Sequence, residues 1–348
     1  MQNWRSGGLL KTSGSAVGIG IVGCGNVARI HAEAIRLLPE LELVSVCSRS
    51  KESARSLGKK FGVPACSDLQ EMLADRDVRA VAICSPSGTH SQLGCAAALA
   101  GKHVLVEKPI DISVAKADRL IEACDRSGVR LAVALQSRHL DAPRLLKSAV
   151  ETGRLGKLLL AGAYIKWYRT PEYYSSRPWR GTLEFDGGGA LINQAIHTVD
   201  LLRWMMGPAT GVHAHSGRLL HEGIEAEDTL VAALRFEGGA LGIVEAATSA
   251  YPGFKRRLEI TGTEGTVILE GDSLTTWSLR DGSPNPAASA AEVSDGSADP
   301  MAIDCEGHRR VLADFADSIL RERKPLVDGR DGRESLELVE SIYRFARG

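Results

Sequence analysis

The feature that most constrains how this 348-residue chain can fold lies close to its beginning. Val17-Gly18-Ile19-Gly20-Ile21-Val22 is a short apolar run bounded by glycine, which reads as a buried strand. It runs into Gly23-Cys24-Gly25-Asn26-Val27-Ala28, a GxGxxA pattern, and then into a predicted helix over residues 26–38. Gly23 permits a tight turn, Gly25 lets the backbone approach a pyrophosphate, and Ala28 is small enough for helix to pack on strand. The helix N-terminus supplies the positive end of its dipole, so Asn26 and Val27 open an anion-binding turn. In a glycine-rich chain the bare pattern says little. A strand before it and a helix after it make it a dinucleotide-binding fingerprint.

Apolar runs and helical patterns then alternate as far as residue 135, which predicts a doubly wound α/β domain over residues 16–136. The second strand, residues 41–47, ends in Ser48-Arg49-Ser50. An enzyme that uses NAD usually carries an acidic residue there for the ribose hydroxyls. A guanidinium between hydroxyls suits a 2′-phosphate instead, so NADP is favoured over NAD, unless Arg49 is only a solvated neighbour of a helix cap. Ser85-Pro86-Ser87-Gly88-Thr89-His90 follows the strand of residues 80–84, at a carboxyl strand end where open α/β sheets bind ligands. Ser85, Pro86 and His90 are therefore placed beside the cofactor, His90 as a loop or ribose-side residue rather than an acid or base. The strand of residues 103–106 ends in Glu107-Lys108-Pro109. Lysine is seldom buried unpaired, so Lys108 beside a rigid proline is a candidate site residue. A surface lysine bonded to Glu107 is the plainer alternative.

In the second half, Gly187-Gly188-Gly189 precedes an apolar run that reads as a helix to Met206, stopped by Gly207 and Pro208. On one continuous helix Asn193, His197 and Asp200 share a face. An amide, an imidazole and a carboxylate behind a glycine loop suit a polar ligand, and the imidazole exchanges protons near neutral pH. A buried helix with one satisfied histidine is the bland alternative. Lys166-Trp167-Tyr168-Arg169 and Arg177-Pro178-Trp179-Arg180 interleave aromatic and basic residues, which suits a carbohydrate ring or an anionic substituent. Some of these aromatics are expected to brace a loop instead. Strand patterns separated by glycine turns fill residues 211–279, and two helices, 307–323 and 332–347, close the chain.

Net charge is −1, with 42 basic against 43 acidic residues, so there is no electrostatic case for nucleic acid or an anionic membrane. Seven singly scattered cysteines fit reduced thiols in a cytoplasmic protein. No apolar run is long enough for a signal peptide or a membrane span. Residues 1–15 read as a loose tail, and residues 281–304, rich in Ser, Pro, Ala and Gly, as a long and lid-like excursion. His213, His215 and His221 lack further ligands at metal-binding spacing, so no metal is expected.

The GxGxxA loop, Glu107-Lys108-Pro109 and the Gly187-to-Asp200 stretch, in that order and spacing, resemble the Gfo/Idh/MocA oxidoreductase family. The resemblance implies a Rossmann domain followed, over residues 137–348, by an α/β domain whose open, mostly antiparallel sheet binds substrate. That sheet often builds homodimers or homotetramers, and the C-terminal helices are allowed to pack back on the first domain. It implies hydride exchange between a nicotinamide cofactor and a secondary alcohol or ketone of a sugar, sugar nucleotide or inositol. By position, His197 would be the acid/base and Lys108, whose peptide bond to Pro109 is often cis in relatives, would meet the nicotinamide side and the reacting hydroxyl. Asn193 stands where many relatives carry aspartate, so either His197 or Lys108 could carry the proton, and Asp200 would orient His197 or cap the helix. Arg138, at a carboxyl strand end, is expected to face the cleft. Lys166, Tyr168 and Trp179, on a loop that relatives use to cover substrate, are expected there too. Two other classes remain open: a redox-neutral enzyme of glycosidase type that retains its cofactor, and a non-catalytic NADP-sensing regulator. A sensor would need neither Lys108 nor His197.

Overall fold

The alternating apolar runs of the first third form one parallel sheet in a computed structural model that describes residues 16–287 and 305–346. Its strands are β1 (Val17–Val22), β2 (Leu41–Cys47), β3 (Ala65–Cys66), β4 (Ala80–Ile83), β5 (His103–Val106) and β6 (Leu131–Val133), in the order β3-β2-β1-β4-β5-β6. β1 and β4 are buried along their whole lengths, as a sheet covered on both faces requires. The helices α1 (Asn26–Arg36), α2 (Lys51–Phe61), α3 (Leu69–Ala74), α4 (His90–Leu99) and α5 (Val114–Ser127) connect the strands. Strand order reverses between β1 and β4, and the crevice at their carboxyl ends is where such sheets bind ligands. Gly23 turns the chain there at φ +93°, and a Cβ on it would lie 2.7 Å from the Cys84 backbone. Only glycine fits that turn.

After α6 (Asp141–Glu151), β7 (Leu158–Lys166) and the short α7 (Pro171–Ser175), the chain enters α8 (Ile196–Met206). Then come β8 (Ala209–Gly217), β9 (Thr229–Phe236), β10 (Leu241–Ala247), β11 (Arg257–Gly262), β12 (Gly265–Glu270) and β13 (Ser273–Leu279). These make a seven-stranded sheet, β13-β12-β11-β7-β10-β9-β8, antiparallel except where β7 meets β10. β9 shows the one-sided pattern: Leu230, Ala232, Leu234 and Phe236 point into the core, while Val231 points out. α6, α8 and α10 (Gly329–Ala346) pack against this sheet. Leu159, Leu160, Val231, Leu241 and Ile243 are exposed.

The last two helices bind the halves together. α9 (Glu306–Leu320) lies on α1, and its Val311, Leu312, Phe315 and Ala316 share a core with Ile19, Ile21 and Ala28. α10 touches α5 and β6 of the first sheet as well as α8 and β8.

The single helix expected after the glycine triplet is two pieces. Ala190–Ala195 is π-helical, and only then does α8 begin. Its opening amides are satisfied from outside: Gly189 N and Leu191 N donate to the Glu227 carboxylate at 3.0 and 2.9 Å, and Ile192 N donates to Tyr343 Oη. A first turn capped this way has no need of α-helical spacing. The expected tail over residues 1–15, and residues 288–304 of the expected excursion, lie outside the described residues.

Candidate active site

A cleft of about 1080 Å³ runs from the carboxyl ends of β1, β2, β4 and β5 to the wall of the second sheet. At the first end, Gly23, Gly25, Asn26 and Val27 line it where α1 begins, with Ala28 buried behind them. Among the described residues no side chain caps this helix, and a Cβ built on Gly25 would meet none of their atoms within 4 Å. Uncapped amides beside open space fit a pyrophosphate. Past β2, the Ser50 hydroxyl accepts from Ser53 N as the cap of α2, and the Ser48 hydroxyl accepts from Ser50 N. Arg49 is exposed at the mouth, with no ion-pair partner among the described residues. Ser85 and Pro86 line the opposite wall.

At the other end, Lys108 precedes a cis peptide bond to Pro109, and its Nζ donates to the Asn193 carbonyl at 2.9 Å. Burial pulls its pKa down, while Glu107 and Asp186 oppose the fall. His197 lines the same space, and its Nδ1 is buried without a hydrogen-bond partner among the described residues. Burial, with Lys108 and Arg256 nearby, holds this imidazole well below its usual pKa, so it is neutral at neutral pH. Asn193 Nδ2 donates to Asp186 Oδ1, and its Oδ1 accepts from Gln194 Nε2 at 3.0 Å. Burial pushes the Asp186 carboxyl up to about 6 despite hydrogen bonds from Gly181 N and Asn193 and the nearby Lys108 charge. Gln194 also donates to Tyr173 Oη and accepts from Arg169 Nη2, both at 3.0 Å. The result is an amine, a neutral imidazole and an ordered amide facing one space beyond a dinucleotide-binding turn.

Residues 17–135 match an oxidoreductase family with an NAD-binding Rossmann fold, Gfo/Idh/MocA, and residues 144–268 match the C-terminal domain of the same family. The chain belongs to this family. Among its relatives, myo-inositol 2-dehydrogenase of Thermotoga maritima is 30% identical over 92% of this chain and 93% of its own length. The WlbA dehydrogenase of Bordetella pertussis, solved with NADH and UDP-GlcNAcA, is 34% identical with a TM-score of 0.85, covering 95% of this chain and 97% of that one. Aldose-aldose oxidoreductase from Caulobacter crescentus, solved with glycerol, is 25% identical with a TM-score of 0.80, covering 95% and 98%.

Several residues of this Gfo/Idh/MocA oxidoreductase stand elsewhere than their sequence positions suggested. Arg138 does not face the cleft. Its side chain is 2% exposed and donates to Asp200 at 2.9 and 2.6 Å and to Asp331 at 2.8 Å. Asp200 is therefore engaged by Arg138 outside the cleft wall, while Asn193, in the π turn, and His197 both line the cleft. Lys166 pairs with Glu245 at 3.0 Å and lines a separate groove with Tyr164 and Phe254. Tyr168 packs edge-on against Tyr251, 5.3 Å between centroids, and is absent from the cleft wall. Trp167 and Arg169, just past the end of β7, line the cleft where Lys166 and Tyr168 do not. Trp179 does line it.

His90 belongs to the cleft lining but is buried, its ring nitrogens 2.8 Å from the Pro109 carbonyl and 2.9 Å from that of Ser85. It ties the Ser85 turn to the Lys108-Pro109 turn. Glu107 is likewise engaged internally, 2.7 Å from His31 Nε2 and 3.4 Å from His308 Nε2. Burial raises its pKa, but His308 and His31 more than offset this and keep it ionised. The donor atoms of these three side chains lie within 4.8 Å of one another. Both imidazole Nδ1 atoms lack the outer acceptor that a metal-bound histidine usually has, and 2.7 Å is a hydrogen-bond length. The cluster joins α1, β5 and α9. His213 and His215 lie on β8, and His221 is buried 3.3 Å from the Thr248 carbonyl.

Sequence reasoning passed over Asp186, Tyr173, Gln194 and Arg256, all in or directly behind the site. Asp186 stands immediately before the glycine triplet, so a reading begun one residue earlier would have included it.

Proposed function

We propose that the protein exchanges hydride between a nicotinamide cofactor and a secondary alcohol or ketone of a sugar, sugar nucleotide or inositol. The observation that carries this reading is the convergence of Lys108 and neutral His197 on one space beyond the GxGxxA turn. A bound nicotinamide supplies the hydride acceptor or donor there. In the oxidation direction, His197 accepts the hydroxyl proton, for which a neutral imidazole is suited. Lys108 donates to the same hydroxyl oxygen and fixes its position. Asn193 holds the lysine through its carbonyl, and Asp186 holds Asn193 through its amide. In reduction, the protonated His197 returns the proton.

Arg49 and the lack of a carboxylate in Ser48-Arg49-Ser50 support NADP as the preferred cofactor, whereas the WlbA relative was solved with NADH. Similarity to an aldose-aldose oxidoreductase supports a second reading, in which the cofactor stays bound and a second substrate resets it. The exposed apolar residues of the second sheet, Leu159, Leu160, Val231, Leu241 and Ile243, support a homodimer or homotetramer assembled through that face. A lone protomer in sedimentation velocity would overturn it. Seven cysteines, none in a disulfide among the described residues, support a reducing, cytoplasmic compartment, and cell fractionation tests this.

The deciding experiment follows reduced-cofactor absorbance with a panel of aldoses, polyols, inositols and sugar nucleotides, with NAD and NADP in parallel. A signal with one substrate class is expected. Silence with cofactor tightly bound would shift the reading to the redox-neutral enzyme or to a sensor.

A further inference from the structure

We propose that the substrate carries an anionic group, a carboxylate or a phosphate, which Arg180 binds with Arg177 and Arg169 at the second-sheet wall of the cleft. This rests on the dehydrogenase reading, since it concerns the substrate of the same site.

Arg169, Arg177 and Arg180 line the same cleft as the GxGxxA turn and Lys108, and Arg169 donates to Gln194, next to the Asn193 carbonyl that holds Lys108. The Arg180 guanidinium lies 4.0 Å from the Tyr173 ring centroid and 5.6 Å from that of Trp179. Its Nη1 donates to the Tyr173 carbonyl at 2.7 Å and the Ser176 hydroxyl at 2.9 Å, both neutral acceptors. Its Nε is buried with no acceptor among the described residues. Arg169 is held between the Trp167 and Tyr173 rings, at 5.0 and 5.5 Å. Aromatic faces set these guanidinium planes in advance, which lowers the entropy lost when an anion is gripped.

The carboxylates along the cleft are already engaged. Glu107 is held by His31 and His308, Asp272 by Arg256, and Glu306 by Arg309 and Arg310. Asp186 lies behind Asn193, hydrogen-bonded to it and to Gly181 N. Burial is the chief cause that lowers the pKa of Arg169 and of Lys108, and a neighbouring cation, Arg180 for the one and Arg169 for the other, adds to it. A neutral polyol leaves this like-charge crowding in place. An anion between the guanidiniums relieves it and forms charge-assisted hydrogen bonds. The pyrophosphate of a dinucleotide is served by the α1 N-terminus, so it leaves the arginine wall to the other ligand.

The test compares kcat/KM for glucuronate, a hexose phosphate and a nucleotide-diphosphate hexose, each against glucose. At least one charged sugar should exceed glucose by about tenfold or more, and its identity assigns carboxylate, phosphate or diphosphate as the group bound. Arg180→Gln should lower the value for that sugar about tenfold to a hundredfold more than it lowers the value for glucose. Arg177→Gln, at an exposed position, should narrow the same gap without endangering the fold. Equal use of charged and neutral sugars, or equal losses in the variants, would overturn the proposal. Calorimetric binding to the NADH-loaded protein separates it from the reading beneath. Tighter binding of a charged sugar, abolished in Arg180→Gln, without turnover of any sugar would keep the anion subsite and remove the dehydrogenase. Turnover of neutral sugars alone would do the reverse.

Discussion

His197 depends on its neighbours for its chemistry. An isolated imidazole is half protonated near 6.5, but burial beside Lys108 and Arg256 keeps this one neutral and ready to accept a proton. His197→Ala is expected to lower turnover at least about a hundredfold while cofactor still binds. Near-normal turnover would transfer the proton to Lys108. Asp186 raises the pKa of Lys108, so Asp186→Asn should lower it. The limb of the kcat–pH profile that reports loss of the Lys108 proton is then expected to move to lower pH, and an unmoved profile would leave Asp186 a purely structural residue. Arg49→Ala is expected to weaken NADP binding by about 1–3 kcal/mol and to spare NAD, as measured by cofactor titration. Equal loss for both cofactors would sink the 2′-phosphate reading.

Between the glycine triplet and α8, an element is set by residues remote from it. Glu227 accepts from two amides of the π turn and from Tyr343 Oη, and a Cβ on Gly189 would lie 1.7 Å from the Glu227 carbonyl. Glu227→Ala strands buried donors, so a loss of about 2–4 kcal/mol in urea denaturation is expected, with a fall in kcat as Asn193 and His197 lose register. Unchanged stability would mean that the turn holds itself. Here lies the limit of local reading. The β1–GxGxxA–α1 unit was legible because strand, turn and helix are contiguous and each residue type meets one steric demand. Asp200 was not, because its partners Arg138 and Ser335 come from distant parts of the chain, and a helical wheel cannot register a π turn held by Glu227. Lys166 and Tyr168 were misplaced by counting a basic-aromatic segment as one patch, when only some of its side chains line the cleft.

Over the whole molecule, buried histidines couple folding to pH. Burial lowers the pKa of His31, His90 and His197 from the ordinary 6.5, and that of His139 to about 4. Below pH 6.5 the unfolded chain binds protons that the folded one refuses, so stability is full above that pH and is lost as pH falls through and below it. Chemical denaturation should show this decline beginning near pH 6, ahead of the carboxylate range. A flat profile down to pH 5 would mean that these imidazoles are charged in the folded state.

The family resemblance brought Lys108 and His197 to one site, and from the sequence itself came the parallel sheet, its ligand-binding end and the strands of the second half. Steric and periodic demands of that kind act between near neighbours and leave a local record. Tertiary structure decided which polar groups face the cleft. It turned Arg138 and Asp200 inward, set Glu107 between two histidines, and brought Asp186 behind Asn193 and Arg180 to the substrate wall. Burial and charge pairing make those choices, and both depend on neighbours that only the folded chain brings together.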